Sequence, residues 1–202
     1  MSIASQIIQE AGKRNRSRDW YRSMLMTALE NYQGAEYDDP GEFGEVSGPV
    51  EVGELYFFNY VATKPEKLKY YDQFPMSYVL GVFKDGFLGA NLHYLNNKLR
   101  EGVAKSLLNS GDGAVVPRKT IHRYYFSGIQ GNIMRIPESE MAEVSLLPTS
   151  KFINNDGNDL PAYRVWRAVS YTHLRAHETR EDLVFRRGRE KKKGGGGGGG
   201  GG

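Results

Sequence analysis

The chain of 202 residues has no cysteine, which excludes disulfide bridges and thiolate metal sites. It also has no apolar run long enough to span a membrane and no apolar signal segment at its start. A phosphate-binding loop, a dinucleotide fingerprint and a Gly-x-Ser-x-Gly elbow are all missing. The sequence therefore predicts a protein without a membrane partner, a cofactor or a small-molecule ligand.

Histidine is scarce as well, with four in the chain. His93 and His122 precede residue 168, and they do not form the short-spaced cluster that a metal site needs. Asp72, His93 and His122 together suit an acid/base site, but no nucleophile or metal completes the set. We therefore predict no catalytic and no metal-binding residues, and we interpret His93 as a structural, hydrogen-bonding histidine.

The end of the chain is rich in glycine and in basic residues. Residues 169–179, VSYTHLRAHET, resemble one reading frame of a sequencing-library adapter, and residues 194–202 are an unbroken glycine run. We interpret residues 168–202 as a translated artefact and expect the native C-terminus to be missing. The alternative interpretation is a disordered basic tail that binds nucleic acid.

This interpretation removes the apparent basic character of the chain. The formal net charge of +3 at pH 7 includes eight basic and four acidic residues of the end segment, so residues 1–167 carry about −1. The alkaline isoelectric point is therefore no argument for a nucleic-acid partner. Such an argument has to rest on local clusters of charge.

Three native segments precede the end segment. Residues 1–33 predict a pair of amphipathic helices, because Gly12 is placed to end the first and Ser17 to cap the second. Residues 34–52 are acidic and rich in glycine, which indicates a flexible linker. Residues 53–167 form the predicted core domain.

The core domain begins with the densest aromatic and β-branched stretch of the chain. It predicts strands over residues 55–61, 76–82 and 87–92, with a tight Asp-Gly turn between the last two. Gly89 suggests a bulge or a close backbone approach. We therefore predict an α+β fold: a small antiparallel, SH3-like β-barrel with an N-terminal helical pair and a helix after the third strand.

An aromatic corner, Tyr-Tyr-Asp-Gln-Phe-Pro, lies between the first two predicted strands. Pro75 favours an extended Phe74, and Asp72 is placed to accept a hydrogen bond from the backbone two residues on. The elements predicted after the third strand are a helix over residues 96–108, strands over 131–136 and 144–148, and the start of a helix at 162–167.

Two segments interleave basic and aromatic side chains, a mixture that serves phosphates and exposed bases together. The commoner arrangement is tyrosines in the core with lysine stems lying over them. The candidate nucleic-acid contacts are the basic and tyrosine residues of these segments: Lys64, Lys67, Lys69, Tyr70, Tyr71, Arg118, Lys119 and Arg123.

The order LYFFNY, LKYYDQFP and GFLGANLHYL, within residues 53–148, resembles a family of small virion proteins of large contractile-tailed bacteriophages. Lys69 departs from that pattern, which has a proline there, and Asn96 and Asn97 stand where it often has two prolines. The positions that match the pattern, for which we expect structural roles, are Tyr70, Tyr71, Asp72, Phe74, Pro75, Gly86, Phe87, Gly89, Asn91, His93, Tyr94, Leu95 and Arg100.

The resemblance implies a virion protein without enzymatic activity that binds the ends of linear double-stranded DNA and protects them from exonuclease. It also implies contacts with other virion proteins, and a location in the virion and in the host cytoplasm during assembly and after injection. The alternative is a structural head-completion or tail/baseplate protein with no DNA-binding role. The residues themselves do not decide between the two.

Overall fold

A computed structural model gives the fold and describes residues 3–12, 16–30, 50–110 and 116–176. Residues 34–49 of the predicted linker and residues 177–202 of the end segment lie outside these ranges. The described helices are α1 (Ile3–Ala11), α2 (Arg18–Glu30), α3 (Asn97–Ser110), α4 (Met141–Val144) and α5 (Ala162–Ala176).

The described strands form two antiparallel sheets. They are β1 (Leu55–Tyr60), β2 (Tyr70–Asp72), β3 (Met76–Phe83), β4 (Gly86–Asn91), β5 (Ile121–Tyr125), β6 (Ile129–Ile136), β7 (Phe152–Asn154) and β8 (Asp159–Leu160). The larger sheet has the order β5-β4-β3-β1-β6, and the smaller has the order β2-β7-β8. The predictions of an α+β fold, an N-terminal helical pair and a helix after the third predicted strand are confirmed.

Both faces of the larger sheet are covered, as the continuous apolar run of β1 predicts. Successive side chains of a strand point to opposite faces. Leu55 and Phe57 therefore pack with Leu25 of α2 on the face that the helices cover. Phe58 and Tyr60 point the other way, into a cluster that consists largely of aromatic rings.

The larger sheet is strongly curled around this aromatic face. Phe58 of β1 and Tyr124 of β5 have ring centroids 5.3 Å apart, although two strands lie between theirs in the sheet. Only residues 126–128 connect β5 to β6, which are the two edges of the sheet. A connection of this length reaches about 14 Å, whereas the two edge strands of a flat five-stranded sheet lie about 19 Å apart. The short connection is therefore possible only because the sheet is curled.

The curled sheet is nevertheless open in the part of the chain that the structure describes. No strand pairing joins β5 to β6, so the SH3-like barrel is not confirmed. The hydrogen bond from the Val61 N–H to the Gly128 carbonyl (2.8 Å) holds the β5–β6 connection beside the end of β1 instead.

Local signals explain where several elements begin and end. The Ser17 hydroxyl accepts a hydrogen bond from the Trp20 N–H (3.1 Å) and so caps α2, as predicted. Gly12 ends α1 at a φ of 56°, which glycine adopts without steric cost. The Asn96 side chain accepts a hydrogen bond from the Leu99 N–H (3.0 Å), so α3 is capped without the prolines of the related pattern.

A bulge lies beside Gly89, as its place in a strand suggested. The register between β3 and β4 shifts from the Val79–Gly89 pair to the Gly81–Leu88 pair, which leaves one extra residue in β3. A Cβ atom at Gly89 would lie 2.1 Å from the Ser77 hydroxyl oxygen. This atom belongs to a side chain, so a larger residue at Gly89 would displace the Ser77 hydroxyl and not the backbone of β3.

The strand predicted over residues 144–148 is wrong. Met141, Val144 and Leu147 are buried in the helix-covered core, and their spacing of three residues suits a helical turn. After α4 the Leu146 N–H donates to the Glu143 carbonyl (3.1 Å) and the Leu147 N–H to the Val144 carbonyl (3.0 Å), so the chain continues as a tight turn and not as a strand. The run of apolar residues suggested a strand because a run this short suits a strand and a helical turn equally well.

The last helix crosses the predicted end of the core domain. α5 runs from Ala162 to Ala176, and Val169 is buried against Phe152 and neighbouring apolar residues. The boundary between residues 167 and 168 therefore falls within a helix, and the origin of the following segment stays a prediction.

The β3–β4 hairpin gives a test of the fold. At Gly86 a Cβ atom would lie 2.0 Å from the Tyr124 carbonyl oxygen, so Gly86→Ala forces β4 and β5 apart. We expect a loss of about 1–3 kcal/mol in the free energy of unfolding, measured by urea denaturation. Gly102→Ala in α3 is the matched control, because nothing lies within 4 Å and alanine favours a helix. An unchanged midpoint for Gly86→Ala would contradict this packing.

Candidate nucleic-acid interface

The two basic-aromatic segments meet at one cavity. Its volume is ≈ 470 Å³, within the range of small-ligand sites. One wall comes from the end of β1, the following loop and β2, and the other wall comes from β5 and the turn after it. The lining residues are Tyr60, Ala62, Thr63, Lys64, Lys67, Leu68, Tyr70, Tyr71, Asp72, Tyr94, His122, Arg123, Tyr124, Tyr125 and Ser127.

Backbone hydrogen bonds position the first wall. The Tyr60 N–H donates to the Gln73 carbonyl (2.8 Å), and the Gln73 N–H donates to the Lys151 carbonyl (2.7 Å). The chain from Tyr60 to Gln73 is therefore a closed loop, with β2 held on its far side by β7. Within this loop, Lys64 precedes a 3₁₀ turn at Pro65–Lys67, and Lys67 ends that turn.

The structure separates the eight candidate contacts into two groups. Five of them line the cavity, namely Lys64, Lys67, Tyr70, Tyr71 and Arg123. Lys69, Arg118 and Lys119 do not line it, and Lys119 donates to the Ala168 carbonyl (3.2 Å). Their role in DNA contact stays a prediction.

Arg123 differs from the two lysines of the cavity. It is paired with Asp85 and lies over the Phe83 ring at 3.9 Å. Lys64 and Lys67 are exposed, and neither forms an ion pair with a described residue. Their charge is therefore available to an anion, whereas that of Arg123 is partly neutralised.

The tyrosines fit both interpretations of the basic-aromatic segments. Tyr60 and Tyr124 are buried in the aromatic core, with ring centroids 5.1 Å apart. Tyr70 and Tyr71 are half-buried, and Tyr125 is 39 % exposed. The cavity thus has core tyrosines at its base and accessible rings at its border.

Asp72 is among the polar residues that line the cavity, and its carboxylate is buried. Asp72 is only 2 % exposed. Its Oδ2 accepts from Asn91 Nδ2 (3.1 Å) and from His93 Nδ1 (2.7 Å). Its Oδ1 accepts from the backbone N–H groups of Phe74 (3.2 Å) and Lys151 (3.1 Å). The bond to Phe74 is the predicted contact two residues on.

This hydrogen bonding decides the charge of Asp72. Burial raises the pKa of the Asp72 carboxyl, but the neighbouring His93 ring and the bonds from Asn91 and Lys151 outweigh it. The pKa is therefore lowered, and Asp72 is ionised at neutral pH. Burial lowers the pKa of His93 despite the adjacent carboxylate, so its ring is neutral.

His93 is the structural, hydrogen-bonding histidine that the sequence predicts. Its Nδ1–H donates to Asp72, and its Nε2 accepts from the Thr149 hydroxyl (3.0 Å). Its own carbonyl accepts from Trp166 Nε1 (2.8 Å), which ties α5 to the core. Both ring nitrogens are occupied, so His93 has no free nitrogen for a reaction.

His122 is the cavity residue whose hydrogen bonding is incomplete. Its ring stacks on Tyr94 with centroids 4.2 Å apart, and its Nε2 has no partner among the described residues. Burial lowers the pKa of His122 to about 4, against a hydrogen bond to the backbone of Lys119. The neutral ring therefore holds a buried acceptor that meets no donor among the described residues.

The positions that match the phage pattern have structural contacts. Arg100 is buried, and its guanidinium donates to the carbonyls of Ser145 (2.9 Å) and Leu95 (3.0 Å). Phe74, which precedes Pro75, stacks on Phe57 at 6.4 Å. Other matching positions that are buried are Pro75, Gly86, Phe87, Gly89, Asn91, Tyr94 and Leu95.

Two absences hold for the described residues. Their acidic, histidine and cysteine side chains include no group of three that could hold a metal ion. Across the same ranges, none of the helices combines the length and the apolar character needed to cross a membrane.

An aromatic cavity beside lysines without an ion-pair partner among the described residues is an arrangement typical of nucleic-acid-binding surfaces, in which rings stack on bases and cations attract phosphates. The family model of the Phage T4 terminal DNA protecting protein matches residues 2–120, which is more than half of the chain. The chain therefore belongs to this family of bacteriophage proteins, which is not an enzyme family. No curated protein and no solved structure matches it.

The family match covers more of the N-terminus than the recognised pattern did. It includes α1 and α2, which lie before residue 53, and it ends at residue 120, just before β5. The Lys64–Tyr71 wall of the cavity is thus inside the matched range, and the wall from His122 to Ser127 is outside it.

The buried His122 predicts a dependence of stability on pH. Its pKa of about 4 in the folded state lies below the usual 6.5, so its contribution is present above pH 6.5 and lost as the pH falls towards 4. We expect a loss of about 2 kcal/mol between pH 8 and pH 5, measured by urea denaturation.

His122→Phe should reduce this loss, because phenylalanine keeps the ring contact with Tyr94 and cannot take up a proton. His93 has a lowered pKa as well and contributes in the same direction. An equally steep decline in the His122→Phe protein would show that His122 does not titrate in this way.

Proposed function

We propose that this protein binds the ends of linear double-stranded DNA through the cavity and its lysine-bearing border, and protects those ends from exonuclease. The family membership supports end protection as the function. The observation that carries the location is the convergence of the two basic-aromatic segments on one cavity. The 46 residues from Asp72 to Pro117 separate these segments in sequence, and the fold brings them to one place.

The charge distribution around the cavity supports this location. Lys67 ends the 3₁₀ turn Pro65–Lys67, and Lys64 is the residue that precedes this turn, so both cations come from one short loop. Asp72 is the acidic residue of the lining, and its carboxylate is enclosed by four hydrogen-bond donors. A phosphate at the border therefore meets two cations and a shielded anion.

This proposal includes a role without catalysis, in the virion and in the host cytoplasm after injection, beside other virion proteins. The second candidate remains a structural head-completion or tail/baseplate protein. Its surface for assembly would involve the N-terminal helices, and it predicts no affinity for DNA ends.

The proposal is tested by exonuclease protection with the full chain. Linear duplex DNA is incubated with the protein, and degradation by a double-strand exonuclease is followed across a salt series, with covalently closed circular DNA as competitor. We expect protection that survives excess circle. Lys64→Ala/Lys67→Ala should weaken it and reduce the slope of log K against log salt by about 2, because two phosphate contacts are lost.

Lys98→Ala/Lys105→Ala is the matched control, since it removes the same charge from α3, outside the cavity lining. The basic residues of the end segment are present in every variant and contribute equally. Equal loss in both double variants would exclude the cavity as the site. Unprotected degradation with the folded parent protein would favour the structural role.

A further inference from the structure

The size of the cavity limits what part of a DNA end can enter it. A volume of ≈ 470 Å³ accommodates a group of nucleotide size. A duplex cannot enter, because its major groove alone is about 12 Å wide. Whatever portion of the DNA occupies the cavity must therefore be separated from its complementary strand.

The walls of the cavity suit the two parts of a nucleotide. Tyr70, Tyr71 and Tyr125 are accessible rings, and every base has a face that stacks on such rings. Lys64 and Lys67 stand at the border, where a phosphate attached to that base would lie.

We propose that the cavity binds one unpaired terminal nucleotide of the DNA, with its base among the tyrosine rings and its phosphate at Lys64 and Lys67. This inference rests on the proposed function and specifies what the protein recognises at an end. A closed duplex offers no such nucleotide, so the cavity itself distinguishes an end from internal DNA.

Recognition of this kind makes the affinity depend on the form of the end. A blunt end must first unpair and unstack its last base, whereas an overhanging nucleotide is already unpaired. We expect a duplex with a one-nucleotide overhang to bind about 5- to 150-fold more tightly than a blunt duplex, the range that one base–aromatic stack supplies. A duplex closed at both ends by a linker without bases should bind most weakly, because it has neither a free end nor an unpaired base.

The experiment measures dissociation constants of the full chain for four duplexes of equal length by fluorescence anisotropy. One is blunt, one has a 5′ overhang, one has a 3′ overhang and one is closed at both ends. The two overhangs show which strand terminus enters the cavity, and either preference supports the inference. Competition by excess unlabelled duplex of each form checks the order.

Variants connect the preference to the cavity. Tyr125→Ala removes an exposed ring of the border, and Tyr71→Leu removes a second ring while keeping apolar volume. Both should bring the overhang and blunt affinities within about twofold of each other. Tyr163→Ala is the matched control, because Tyr163 is 59 % exposed on α5 and does not line the cavity. Urea midpoints of all three check that they are folded.

The outcomes separate the two proposals. Equal affinity for closed and open duplexes would overturn both end binding and the nucleotide site. A preference for open over closed duplexes, with blunt and overhanging ends bound equally, would overturn the nucleotide site alone. An overhang preference that survives in both Tyr125→Ala and Tyr71→Leu would place the terminal nucleotide outside this cavity and also overturn the inference.

Discussion

The carboxylate of Asp72 joins three parts of the chain that are distant in sequence. It accepts hydrogen bonds from Asn91 at the end of β4 and His93 just after it, from Lys151 before β7, and from Phe74 in its own corner. A buried ion of this kind is tolerated only where donors replace the water it has lost. The corner, the end of β4 and the smaller sheet are therefore fixed relative to one another.

The same interaction places the cavity. β2 ends at Asp72, so the loop with Lys64 and Lys67 is held at one side, while Asn91 also donates to the Tyr124 hydroxyl (3.1 Å) and holds β5 at the other. The curl of the larger sheet then brings the rings of β1 and β5 into contact. The result is a rigid aromatic base with accessible rings and flexible lysines at its border.

The sequence predicted the local elements well, because each rests on contacts within a few residues. The caps at Ser17 and Gly12, the β3–β4 hairpin and the bulge beside Gly89 are of this kind. The turn of that hairpin differs from the predicted Asp-Gly turn, because Lys84 and Asp85 form it and Gly86 already pairs with Phe83. It did not predict the pairing of Tyr70–Asp72 with β7, since that partner lies some eighty residues away and is three residues long. The strand predicted over residues 144–148 was wrong for a related reason. A short apolar run suits a helical turn and a strand alike, and only its tertiary neighbours show which side chains are buried.

For the site, the sequence by itself determined the chemistry: two basic-aromatic segments, a structural His93 and an Asp72 placed to accept backbone hydrogen bonds. It also determined the family pattern around the corner and β4. Only the tertiary structure decided which of the candidate residues lie together at one cavity. The curl of the sheet places Lys64, Lys67, Tyr70 and Tyr71 opposite Arg123, and leaves Lys69, Arg118 and Lys119 outside the lining. The tertiary structure also buries His122 Nε2 without a donor among the described residues. Burial and hydrogen bonding depend on which surfaces of the protein meet. The spacing of residues along the chain does not specify those contacts.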